Sequence, residues 1–139
     1  MMLIIAKNKE EVGISAIDFF SFTHIVLGYL ILLTNYTILN ISLKISFDYL
    51  LLLLNVIASI SWEVLENFLL YKFKIKYRHR RDSKINVATD MVFFFLGGVI
   101  GIYIIHQNLT FFIIYSFIII GGFLLITDIY AFLLLNIKN

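Results

Sequence analysis

The chain has 139 residues, of which 61% are hydrophobic and only 14% charged, with no cysteine and no proline. Ordinary globular chains run nearer half apolar and a quarter charged, so this balance excludes a soluble domain and points to one compact unit of a few membrane helices. The missing cysteines exclude disulfides, iron–sulfur clusters and thiolate zinc sites, and the formal net charge of +2 matters less than where the charges lie.

The opening residues, "MMLIIAKNKEEVG", lack the cationic start, short apolar stretch and small-residue site of a cleaved signal. The first span is therefore expected to act as its own insertion signal. Crossing the hydrocarbon core takes about 20 mainly apolar residues, and four segments qualify, at approximately 17–39, 48–71, 86–106 and 109–135. They do not alternate polar with apolar as barrel strands do. The expected fold is all-α, a four-helix polytopic membrane protein forming one integral domain over residues 1–139.

The first span carries Asp18, Ser21, His24 and Gly28 in a helical row. Asp18, near the predicted start, suits a cap better than a ligand. The second contains "SWEVLENF" at 61–68. There Glu63, Glu66 and Asn67 are spaced i, i+3, i+4 and so share one side of a helix. Asn55 and Ser59 extend that stripe and read as polar glue between helices, while Trp62 reads as pocket wall or packing. Seven of the eleven basic residues then fall within 72–84. Between two apolar spans such a cluster marks a cytoplasmic loop beside anionic lipid headgroups rather than a nucleic-acid site, and His79 within it should be solvated. The third span brings Asp82, Asn86 and Asp90 at four-residue intervals, then Gly97 and Gly101, a spacing that lets helices approach closely. His106 falls at its outer boundary. The fourth holds Gly121, Gly122 and Asp128. The asymmetry of basic residues puts both termini and the loop 72–84 in the cytoplasm.

An ionisable residue inside a bilayer costs about 2.5–3.5 kcal/mol on insertion scales and usually faces the bundle interior. At about 1.5 Å of rise per residue, Glu63, Glu66, Asp90, His24 and Asp128 all fall about 6–12 Å from the same membrane face. This common depth predicts one wet, acidic pocket walled by all four helices. Glu63, Glu66 and Asp90 are the candidate catalytic acids and bases, with His24, Glu63, Glu66, Asn67, Asp82, Asn86, Asp90 and Asp128 as candidate metal ligands. An oxygen-rich set suits Mg²⁺, Mn²⁺ or Ca²⁺, and His24 with two carboxylates also suits Zn²⁺. Without a cation, several adjacent carboxylates in a low-dielectric pocket cannot all stay ionised.

"THIVLGY" at 23–29, "SWEVLENF" and "RDSKINVATD" at 81–90 resemble the signature blocks of an uncharacterised family of small bacterial inner-membrane proteins. That pattern is a His separated by three residues from a Gly-aromatic pair, then W-E-x-x-E-N, then D-S-x-x-N-x-x-x-D. A weaker likeness extends to VanZ-like membrane proteins. The resemblance implies functional roles for His24, Glu63, Glu66, Asn67, Asp82, Ser83, Asn86 and Asp90, and names no reaction. Two readings remain open from the sequence. One is a metal-assisted enzyme acting on a lipid or other membrane-embedded substrate. The other is non-enzymatic: an ion- or proton-coupled carrier, or a small subunit that joins a membrane protein partner or its own copies.

Overall fold

A computed structural model describes residues 4–44, 47–107 and 109–136. Four helices account for most of them: α1 (Phe19–Tyr36), α2 (Asp48–Val64), α3 (Lys84–Ile105) and α4 (Leu109–Asn136). A π-helical segment, Thr37–Ser42, prolongs α1, and another, Leu65–Leu70, prolongs α2. All four are long and apolar enough to cross a membrane, which fits the expected all-α bundle and a multi-pass membrane protein.

The helix starts follow from local side-chain chemistry. At the N-cap of α1, Asp18 accepts from the backbone N–H groups of Phe20 and Ser21, and Ser21 Oγ reaches back to the Asp18 N–H. This is a capping box. Ser83 caps α3 by accepting from the Asn86 N–H. Between α2 and α3 the chain makes a tight link with a 3₁₀ turn at Tyr77–His79. Lys74, Arg78 and His79 there take positive φ angles of 59°, 56° and 51°, a conformation costly for residues with a Cβ; Arg78 is held in it by its pair with Glu10.

α1 is the centre of the bundle, touching each of the other three helices, while among the described residues α2 packs on α1 and α3 but not on α4. Contacts between α1 and α3 climb together along both helices, from Ser21–Asp90 to Leu32–Gly101, so the two run parallel. Their backbones meet at glycines. A Cβ on Gly28 would lie 1.9 Å from the Phe94 carbonyl oxygen, and one on Gly97 would lie 2.0 Å from that of Ile25. Gly97→Val must therefore part the helices. Its cost is expected to reach or exceed the upper end of the roughly 1–3 kcal/mol usual for overpacking, read as a lowered thermal midpoint in detergent. The glycine spacing at 97 and 101 serves close packing as expected. Nothing lies within 4 Å of a Cβ at Gly121 or Gly122, by contrast, so that small patch is not used within the chain.

Residues 4–17 fold back over one end of the bundle, a feature that hydropathy does not reveal. Ile5 and Ile17 form an isolated parallel bridge, and Ala6 and Val12 bury against Phe19. The Tyr130 hydroxyl donates to the Ala6 carbonyl, and the Ser83 N–H to that of Gly13 at 2.7 Å. The basic loop closes the same end. Arg78 forms a forked pair with Glu10, and Arg80 donates to the carbonyls of Glu10 and Val12. Arg81 lies 4.8 Å over the Tyr71 ring.

Candidate metal centre

Just beneath this cap, three helices each deliver one buried ionisable group. His24 comes from α1, Glu63 from α2 and Asp90 from α3, and they are 4%, 5% and 3% exposed. One ligand atom from each lies within 4.8 Å of the other two. Three points so spaced have a centre no farther than 4.8 Å divided by the square root of three, about 2.8 Å, from each. That upper bound lies slightly above Ca²⁺–oxygen distances, and Zn²⁺ would draw the three groups inward by up to about 0.7 Å.

The hydrogen bonds around the group leave the right atoms free. His24 Nδ1 lies 2.9 Å from the Phe20 carbonyl oxygen, which can only accept, so Nδ1 carries a proton. Such a bond fixes the ring and its tautomer, as in metal-ligating histidines, and turns Nε2 towards Glu63 Oε1 at 3.4 Å and Glu66 Oε2 at 3.8 Å. Nε2 of His24 and Oε1 of Glu63 are buried without a hydrogen-bond partner. The two atoms face each other at 3.4 Å, an ion pair only when Nε2 carries a proton; a cation between them would satisfy both buried groups. The second oxygens are engaged: Asn67 Nδ2 donates to Glu63 Oε2 at 3.2 Å, and Ser21 Oγ to Asp90 Oδ1 at 2.5 Å.

Glu66 stands at the edge of this group, on the π-helical extension of α2. Its Oε2 accepts from Trp62 Nε1 at 3.1 Å and its Oε1 from Lys76 Nζ at 2.7 Å. Lys76 also donates to Asp82, whose N–H donates to Asn67 Oδ1 at 2.9 Å. One buried ammonium thus ties two acids to the loop. Burial works against its charge, but the Asp82 and Glu66 carboxylates outweigh that and hold its pKa above the ordinary 10.5. Beside it lies a cavity of about 340 Å³ in which the charged side chains of Asp18, Glu66, Lys76, Arg80, Asp82 and Asp90 stand among apolar residues such as Phe20, Leu70 and Ile75.

The structure gathers only part of the expected ligand set. His24, Glu63 and Asp90 converge, with Glu66 adjacent and Asn67 supporting Glu63. Asp82 precedes α3 rather than lying on it, and pairs with Lys76 instead. Asn86, 1% exposed, points its amide towards the Ala16 carbonyl at 3.5 Å and Asp18 Oδ2 at 3.4 Å, and so braces the cap. Asp128 is exposed on α4 and stands apart from the group, so the pocket has three helical walls rather than four. Asp128→Asn is accordingly expected to leave divalent-cation affinity unchanged by calorimetric titration.

Asn55 Nδ2 donates to the Gly28 carbonyl at 2.8 Å, the interhelical role expected of it. His106 is exposed and bonds Asp48 at 3.0 Å at the far end, and His79 is exposed in the loop. Lys76 is the one site residue that sequence reading missed, taken there as part of a lipid-facing cluster. Lys72, Lys74 and Lys84 are exposed, whereas Lys76, Arg78 and Arg80 turn towards the protein. Compared with protein-family models, curated proteins and solved structures, the chain matches none of them.

Proposed function

We propose that this protein is a divalent-cation-dependent membrane enzyme acting on a lipid or another membrane-embedded substrate. The observation that carries this reading is the buried convergence of His24, Glu63 and Asp90, with Nε2 and Oε1 facing each other at 3.4 Å and neither in a hydrogen bond among the described residues. In it these three residues hold the cation. An imidazole nitrogen with two carboxylates favours Zn²⁺ or Mn²⁺ over Mg²⁺ or Ca²⁺. Ser21 and Asn67 orient the carboxylates, and Glu66, on the side of the charge-lined cavity, is the acid/base group. When bound, the cation polarises a substrate oxygen or lowers the pKa of a water. The order of motifs shared with the small inner-membrane family is part of the same proposal, since His24, Glu63, Glu66, Asn67 and Asp90 all belong to those motifs.

A carrier would need a polar route through the opposite half of the bundle. Asn55 and Ser59 were the only stepping stones, and Asn55 is committed to Gly28 and packed against Gly98. Asn55 Oδ1 and Ser59 Oγ are nevertheless buried without a partner among the described residues, so the enzyme reading rests on the metal group and not on this contact. The reading is tested by elemental analysis of protein purified without chelator. About one Zn or Mn per chain is expected, with a thermal midpoint that falls on chelation and recovers on adding the metal back. Metal-free protein whose midpoint ignores both treatments would refute it.

A further inference from the structure

The metal centre is reached by more than the charge-lined cavity. A second cavity of about 360 Å³ lies between α1, α2 and α4, lined by Thr23, His24, Leu27, Leu30, Trp62 and Glu66 among others. It shares Phe20, Glu66 and Leu70 with the charge-lined cavity. A third, of about 240 Å³, shares Leu27 and Trp62 with the second and continues to Ile31, Ala58 and Phe94. The three adjoin through these shared residues in a row along α1, with the charged side chains at the loop end and apolar lining beyond Glu66. Because α2 does not pack on α4 among the described residues, the α1 face between them is uncovered. It lies within segments long and apolar enough to span a membrane. From Phe20 to Ile31 the path follows α1 for about 16 Å at 1.5 Å per residue, room for a hydrocarbon chain of about a dozen carbons.

We infer that this path is the binding site for a lipid with a phosphomonoester head, which enters sideways from the bilayer between α2 and α4. The inference rests on the proposed metal-dependent reading and names its substrate class. The chain lies along Leu27, Leu30 and Trp62, and the phosphate sits in the charge-lined cavity beside Glu66. Two observations favour phosphate over a carboxylate or a neutral head. Arg80 lines that cavity with its Nε buried and without a partner among the described residues, a guanidinium donor suited to a phosphate oxygen. Asp18, Glu66, Asp82 and Asp90 also line it, while Lys76 is already bonded to Glu66 and Asp82. An anionic head is therefore held there through the proposed cation, which a phosphomonoester bridges better than a carboxylate or a neutral head.

Trp62 is the only tryptophan of the chain and lies on the path, so its fluorescence reports occupancy. The test uses the full chain in phosphocholine nanodiscs containing, as a minor component, a lysophosphatidate with a brominated chain. Brominated lysophosphocholine and brominated fatty acid serve as comparators. Trp62 quenching by the lysophosphatidate, whose head is a phosphomonoester, is expected to be several-fold steeper than by the phosphodiester or the carboxylate comparator. It should fall to their level in Leu27→Phe, which narrows the path, and in Arg80→Gln, which removes the free donor. Equal quenching by all three lipids in the unaltered protein would overturn the inference, as would steeper quenching by the fatty acid. Mn²⁺ titration of the same nanodiscs separates the two claims. Metal binding without lipid selectivity overturns the path alone. Selective quenching without metal binding overturns the metal reading and leaves the lipid site standing.

Discussion

Glu63→Gln is expected to abolish divalent-cation binding. Glutamine keeps the size of the side chain and can still face Asn67, yet it removes one of the two anions in the buried group. Residues that merely support a metal ligand typically change affinity by about 10–100-fold, so loss of a charged ligand should exceed that range. His24→Gln should behave alike, since Nε2 is the one nitrogen donor of the group. Calorimetric titration with Zn²⁺ or Mn²⁺ reads both. Ser21→Ala should fall within the outer-shell range, because Ser21 only steadies Asp90. A Glu63→Gln protein that binds the metal as tightly as the unaltered chain would remove Glu63 from the site.

Lys76→Met carries the second large effect, this time on stability. Lys76 bridges Glu66 and Asp82, and the three side chains are 5%, 19% and 9% exposed. Removing one partner of a buried ion pair leaves an uncompensated charge and costs about 3–5 kcal/mol. The thermal midpoint in detergent should drop markedly, and Lys76→Met combined with Asp82→Asn should recover much of the loss. The sign with pH follows from the raised pKa of Lys76. The folded protein holds this proton more tightly than the unfolded chain, so the contribution is fully present below the ordinary 10.5. It is lost as pH rises through the higher folded value. A loss that the double variant does not relieve would place the effect in packing instead of charge.

The bundle was legible because hydropathy and length act locally: four runs of the right length have few alternatives. The polar stripe of α2 was legible for the same reason, since i, i+3, i+4 spacing needs no knowledge of the fold. Its members Glu63, Glu66 and Asn67 do lie together. Asp128 was misplaced because counting residues fixes depth along a helix but not direction around it. α4 is apolar on all sides and gives no moment to orient it. Asp82 was read as helical, yet Ser83 is the cap and α3 starts at Lys84, which frees Asp82 to turn towards the loop. Lys76 lies ten residues after Glu66, across a link with left-handed residues at Lys74, Arg78 and His79. No periodic pattern reports a contact made across such a link. The docking of residues 4–17 is equally non-local: its bonds to Arg80, Ser83 and Tyr130 span 68 to 124 positions.

The claim that His24 holds a metal ion can be observed directly. The chain has three histidines, and the other two, His79 and His106, are exposed and lie in the loop and at the far end of the bundle. Electron spin-echo spectroscopy of Mn²⁺-loaded protein carrying ¹⁵N-labelled histidine should show coupling to one directly bound imidazole nitrogen. That coupling should persist in His79→Gln and His106→Gln and vanish in His24→Gln. A Mn²⁺ signal without nitrogen coupling, or coupling that survives His24→Gln, would contradict the site.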